Sequence, residues 1–461
     1  MQGLSGILLP DYSPSSHNPL LLSTEVLWVN KGEGKLVNGY IPLGGCIVVN
    51  SEVQKNTSEA RLGFSPLRSA QSPVLGLLDF CKGLAIVWIV LIHWRPEWFG
   101  WQGVHVFIVL SGFGLTYSCL KRDSDISWKK WYVKRFRKVL PPYWMVCLWG
   151  YLILACVYLF EGRNLLNALS LPLDVLLKNA LLLELTLLNP TVKVEPNGSL
   201  WFIPFIVSFY LAFPWLYQLV AKHKTVRVVL FALLGTIVFE FVYRAIALYW
   251  LDGVPIGYRH YAKLFPVLGV PLDKLPTEFR FQHEYAFNFF PSRLGEFAVG
   301  MVAAVALRRN SSIFHKVLLN PWMGVLGFLI WLGGNALIYQ GFWGWVFADF
   351  VIAVGIILWF VNLGSLLQRK LPAFFSKMSQ LGVWSYYIFL THYLLVFITD
   401  KMDAPLTPLF DNSPIGIKVL RVSLFAAIIV GTWMTSRILQ RFDQSQFSDL
   451  MIQQTFARVL K

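Results

Sequence analysis

The sequence predicts an all-α, polytopic integral membrane helical bundle of about ten spans with one re-entrant or interfacial segment. Three observations carry this prediction. Of the 461 residues, 56% are hydrophobic and only 14% charged. The apolar residues run in blocks close to the ~20 residues a helix needs to cross a hydrocarbon core, not in stripes along one helical face. The basic excess, 40 Lys and Arg against 25 Asp and Glu, falls in short segments between those blocks, as the positive-inside rule expects. In a soluble chain a formal charge of +15 would raise nucleic acid as a partner. Here it marks orientation in a lipid bilayer, and no nucleic acid is expected.

Taken in order, residues 1–72 read as a poorly ordered N-terminal extension, 73–445 as the membrane domain and 446–461 as a cytoplasmic C-terminal tail. The extension is rich in Ser, Asn, Gly and Pro, and its apolar runs such as "GYIPLGGCIVV" are too short to span. No basic segment precedes them in the manner of a signal peptide. Spans are expected at 76–94, 103–120, 140–160, 200–220, 228–250, 287–307, 320–340, 343–363, 381–399 and 419–438. "VLLKNALLLELTLL" (175–188) contains Lys178 and Glu184 and is short, so it is expected not to cross. With that exclusion the basic segments 121–138, 222–227, 308–309, 369–370 and 437–441 all fall on one side. Both termini are then cytoplasmic, in a multi-pass protein of the cell (inner) membrane. The five cysteines form no CxxC pair and read as small core hydrophobes.

The first span, "KGLAIVWIVLIHW", contains two ionisable groups, Lys82 and His93. Eleven positions are about three turns, so both project from one face about 16 Å apart along the axis. Two readings stand. Lys82 reaches the inner headgroups and His93 caps the outer end, or both face a polar interior, since an ionisable group facing lipid costs roughly 2.5 kcal/mol or more.

Further along come, in order, "LDFCKGLAIVWIVLIH", "GVHVFIVLSGFGL", "KRFRKVLPPYW", "LWFIPFIVSFYLAFP", "RLGEFAVG" and "LGVWSYYIFLTHYLLV". This succession, over about 75–440, resembles the membrane acyltransferase-3 family. The resemblance implies transfer of an acyl group, usually acetyl, from cytoplasmic acyl-CoA to a hydroxyl of a cell-surface or exported sugar or glycan. It places the family's basic residue and histidine, ten residues between them, on Lys82 and His93, where many relatives have arginine first. The family's arginine pair falls on Arg135 and Arg137. A histidine suits the removal of a hydroxyl proton, which makes His93 the expected general base with Lys82 beside it in the catalytic set. Guanidinium groups suit the phosphates of CoA, although positive-inside topology also accounts for the pair.

Other polar residues in the spans are candidate substrate-binding groups. His105 stands where many relatives have aspartate. Ser111 lies in "VLSGFG", whose small residues also suit close helix packing. Trp201 begins a span and also fits an interfacial aromatic belt, and Ile206 and Val207 follow where another branch of the family has glutamates. Arg293 and Glu296, three apart, can pair, as can Glu240 and Arg244, which read as structural. Tyr386 and His392 lie within a late span. No zinc-ligand spacing, GxSxG elbow or Walker A loop occurs, so no metal is expected and acyl-CoA is the donor substrate. A transporter or flippase of a glycan or lipid-linked sugar is the competing class, because polar residues inside spans also line translocation routes. No inverted repeat speaks for it. The identity of the acceptor, acetyl against longer acyl, direct transfer against an acyl-histidine, and oligomeric state are left open by the sequence.

Overall fold

The computed structural model describes residues 23–29, 36–42, 73–94, 99–121, 126–183, 196–223, 225–251, 253, 255, 258, 286–410 and 413–445. The chain divides into two units, Met1–Gln71 and Ser72–Lys461. In the first, strands β1 (Ser23–Val29) and β2 (Leu36–Pro42) pair antiparallel, with Val26 opposite Gly39. The rest of the expected N-terminal extension, the 446–461 tail and Glu184 lie outside the described residues.

Among its described residues the second unit consists of helices joined by turns and short connections, with no strand. Ten of its helices are long and apolar enough to cross a membrane, and the protein is a multi-pass membrane protein. These are α1 (Pro73–Trp94), α2 (Gly103–Leu120), α3 (Trp128–Phe160), α5 (Phe202–Leu216, lengthened by the helical turns on either side to a span of Gly198–Ala221), α6 (Val226–Tyr249), α7 (Leu294–Arg309, lengthened by the preceding turn to a span of Phe290–Arg309), α9 (Pro321–Ile338), α10 (Phe342–Lys370), α11 (Pro372–Leu406) and α12 (Pro414–Asp443). Two short helices, α4 (Leu165–Ala180) and α8 (Ser311–Leu318), complete the set.

The observed helices overrun the expected spans mainly at their basic ends. α3 begins at Trp128, not 140, and runs through Pro141 and Pro142 without stopping. Neither proline has an N–H, so the carbonyls of Arg137 and Lys138 lose their usual partner four residues on. The segment expected at 175–188 becomes α4, which starts ten residues earlier and ends at Ala180. Asn164 caps it by accepting from the Asn167 N–H at 2.8 Å. At its other end, Tyr143 Oη donates to the Asn179 carbonyl at 2.7 Å and Trp144 Nε1 to the Ala180 carbonyl at 3.1 Å, which docks α4 on α3. Sixteen residues fall short of a span, and Leu165, Leu166, Leu173 and Leu177 are exposed along it, as suits a helix lying at an interface.

α5 and α7 are the most buried spans, whereas α6 and α12 have most of their surface outward. The centre is aromatic: Phe209 stacks on Phe297 at 4.4 Å, and Phe213 on Trp131 at 5.0 Å. Val419, Val422, Val430, Trp433 and Ile438 of α12 are exposed, an apolar face that water would disfavour and lipid tails accept. Small residues set the closest helix contacts. A Cβ on Gly112 of α2 would meet the Phe297 backbone of α7 at 3.0 Å, and one on Gly300 of α7 would meet the Phe113 nitrogen of α2 at 2.8 Å. Gly114, by contrast, has nothing within 4 Å of that position, so close packing does not explain it. Cys81, Cys119 and Cys147 are buried as expected of small hydrophobes, but Cys156 is exposed because it lies on the outward face of α3.

Candidate active site

Two glycines bring α1 and α11 into register. A Cβ on Gly83 would lie 2.8 Å from the carbonyl carbon of Met378, and one on Gly382 would lie 2.6 Å from that of Asp79. The backbones therefore touch, which only glycine permits. The helices run parallel, and ten residues beyond each glycine stands a histidine, His93 on α1 and His392 on α11. Equal offsets on parallel helices rise by the same ~15 Å, so the two imidazoles meet. His93 Nδ1 lies 3.0 Å from His392 Nε2.

Hydrogen-bond partners fix the tautomers of the pair. His392 Nδ1 faces the carbonyl oxygens of Phe389 at 2.8 Å and Ile388 at 3.1 Å, so it bears the hydrogen. In the neutral ring Nε2 is then bare and accepts, and the hydrogen it accepts is on His93 Nδ1. His93 also bonds the Ile89 carbonyl one turn earlier, as His392 does that of Ile388, and with its ring hydrogen on Nδ1 the His93 Nε2 is left unprotonated. Tyr393 packs edge-on against the His93 ring at 4.8 Å and holds its plane.

His93 lines a cavity of about 300 Å³. The wall also includes Ile89 and Ile92 of α1, Trp101 in the turn before α2, Val104 and His105 at the start of α2, Ser199 and Trp201 before α5, Arg293 before α7, and Phe389, Tyr393, Val396 and Asp400 of α11. Four expected site residues, His93, His105, Trp201 and Arg293, thus share one chamber although they lie on four separate chain segments.

Behind one wall is a buried charge network. Arg293 Nη1 is 3.1 Å from Glu296 Oε1 and 2.5 Å from Asp349 Oδ2. Arg244 Nη1 reaches the same Asp349 oxygen at 2.8 Å, and its other nitrogens donate to the carbonyls of Trp345 and Val346. His105 Nδ1 is 2.9 Å from Glu296 Oε2, and its Nε2 faces Asp349 at 3.7 Å. Glu240 Oε2 accepts from the Gly295 N–H at 2.7 Å, at the first turn of α7. The ion pair expected between Glu240 and Arg244 is redirected: Arg244 goes to Asp349 on α10, because α6 turns that face toward α7 and α10. Removing one member of such a buried set leaves an uncompensated charge, typically worth about 3–5 kcal/mol. This rigidity is what holds Arg293 and His105 at the cavity wall.

The remaining expected residues lie elsewhere. Lys82 is a third exposed and pairs with Asp79 at 3.2 Å, one helical turn before it. Arg135 donates to Ser118 Oγ at 3.0 Å and lies over the Trp131 ring, at the opposite end of α2 from His105. Neither residue, nor Arg137, lines the cavity. Ser111, half-buried in α2, does not line the cavity, and Tyr386 donates to the Val139 carbonyl of α3 at 2.6 Å. Tyr393, Asp400 and Asp349 had not stood out in the sequence. Asp349 had a legible signal: a lone carboxylate inside the apolar run "WVFADFVIAVG" must find a cation in the bundle.

A family model described as an acyltransferase domain matches residues 76–437. No curated protein and no solved structure matches the chain.

Proposed function

Because the chain belongs to the acyltransferase-3 family, its domain covering residues 76–437, we propose that it moves an acyl group, acetyl as the first expectation, from acyl-CoA to a hydroxyl of a sugar or glycan. One observation supports the mechanism most directly: the bare Nε2 of His93, oriented by His392 and bordering the cavity. In this reading the hydroxyl oxygen attacks the thioester carbonyl carbon while its proton passes to His93 Nε2. The C–S bond then breaks, and the proton leaves on the CoA sulfur. The His93 imidazolium is stabilised meanwhile, since its Nδ1–H already donates to His392. Positioned proton transfer of this kind contributes typically ~10²- to 10⁴-fold in rate.

Arg135 and Arg137 receive the phosphates of CoA in the same reading, on the cytoplasmic side, with both termini of the chain in that compartment and the protein in the cell (inner) membrane. Charge-assisted bonds from guanidinium to phosphate are the strong kind. The cavity reaches along α1 only from His93 to Ile89, so the acyl arm must part the side chains between the arginines and that chamber. The acceptor enters from the outer side, where Trp201 offers an apolar ring face to a sugar and Asp400 a carboxylate to its hydroxyls.

The test uses purified protein in liposomes with radiolabelled acetyl-CoA and a panel of glycans. Acceptor-dependent release of CoA is expected, together with its loss in His93→Ala at unchanged expression. Full activity in that variant, or sugar movement across the liposome without CoA release, would refute the proposal.

A further inference from the structure

We propose that Arg293 is a catalytic residue opposite His93: its unpaired guanidinium N–H groups receive the thioester carbonyl oxygen and hold the negative charge that gathers there during transfer. This rests on the acyl-transfer reading above.

Arg293 borders the same cavity as His93, yet is only 3% exposed. Its hydrogen bonds and ion pairs all run through Nη1, to Glu296, Asp349 and the His105 ring. Nε and Nη2 have no acceptor among the described residues. A buried guanidinium that leaves donors unused where a cavity begins is poised for a ligand oxygen, because an unmet buried donor is costly. A purely structural arginine has another pattern, and the same network supplies the comparison. Arg244 donates from Nε to the Trp345 and Val346 carbonyls and from Nη2 to Trp345, so its fork is occupied by the fold.

The placement of Arg293 suits the reaction in two further ways. It ends the 3-10 turn Phe290–Arg293 immediately before α7, so the regular backbone on either side fixes where its side chain departs. And it is held in place before substrate arrives, by Glu296 on its own helix and by Asp349, which Arg244 fixes from behind. Donors aimed in advance at a developing charge need no reorganisation at the moment of reaction. As the acceptor oxygen bonds to the carbonyl carbon, the electron pair of the C=O moves onto the oxygen facing Arg293. Its return expels the CoA sulfur, which takes the proton held by His93.

Arg293→Lys keeps the positive charge between Glu296 and Asp349 but removes the free fork. In the liposome assay its kcat for CoA release should fall about 100-fold or more, with KM for acetyl-CoA and for the sugar changed by less than about threefold. A variant as fast as wild type overturns the role of Arg293 while leaving the acyltransferase reading intact. So does one that raises only the sugar KM, which would make Arg293 an anchor for an anionic acceptor. Wild type that releases no CoA from acetyl-CoA with any sugar overturns the acyltransferase reading, and this role with it. Should the lysine variant not fold, the wild-type protein decides: bound S-(2-oxopropyl)-CoA, a ketone analogue that cannot be cleaved, should show its ¹³C=O infrared band at lower frequency than free in water. A band at or above the free position refutes the contact.

Discussion

Substituting Gly382→Ala tests whether the backbone contact between α1 and α11 is what builds the histidine pair. The added Cβ would overlap the carbonyl oxygen of Asp79 and lie 2.6 Å from its carbonyl carbon and 3.0 Å from the Gly83 nitrogen, against 3.4–4 Å for ordinary contact. All of these atoms are backbone, so no side chain can swing aside; clearing the carbonyl carbon alone takes a separation of about 0.8 Å, and clearing the oxygen takes more. Moved apart as rigid rods, they stretch the His93–His392 bond from 3.0 Å to at least about 3.8 Å, beyond hydrogen-bond reach. Two effects follow. Overpacking of this kind destabilises by about 1–3 kcal/mol, and a displacement near 1 Å in a catalytic group can lower the rate about 100-fold. The assay is CoA release followed with a thiol reagent, paired with thermal unfolding of the detergent-solubilised protein. Gly333→Ala is the control: nothing lies within 4 Å of its added Cβ, and it should lose neither stability nor rate. Gly382→Ala with the activity and melting of wild type would refute the reasoning, because the site would then not depend on that contact.

His392→Phe removes the acceptor for His93 Nδ1–H and should lower kcat about 10- to 100-fold, the worth of one charge-assisted hydrogen bond of ~1.5–3 kcal/mol. His392→Gln, whose amide oxygen can accept, should recover part of that loss, and its rate should keep the wild-type fall toward acid pH, where a protonated His93 cannot act as base. Replacing Arg135 and Arg137 together by Gln should raise KM for acetyl-CoA at least tenfold, leave kcat at saturation within a fewfold, and flatten the dependence of KM on salt. An unchanged KM would return the pair to a purely topological role.

The candidate site was legible in unequal parts. His93, His105, Arg293 and His392 each stand out as ionisable groups inside apolar runs, which is a one-dimensional signal. Ser111 and Tyr386 stood out as polar groups in apolar runs, yet neither lines the cavity, and Tyr386 binds the Val139 carbonyl of α3 instead. Lys82 shares a helix with His93, but its partner is Asp79 at the far end from the chamber. Trp201 read equally well as part of an interfacial belt, and the structure sets it on the cavity wall. Asp400 gave no signal, since an acid near a helix end needs no explanation until Trp201 and His93 are found beside it.

The sequence by itself determined the class of protein and the number of its spans, because crossing a membrane depends on the length and apolarity of each segment alone. It also determined which side chains are too polar to face lipid. Only the tertiary structure decided which of them meet: His93 with His392, 299 positions apart, and Arg293 with Asp349 rather than with Glu296 alone. Such meetings depend on helix register. Register here is set by where two backbones can touch, as at Gly83 and Gly382, and that is a property of a pair of surfaces which no single segment contains.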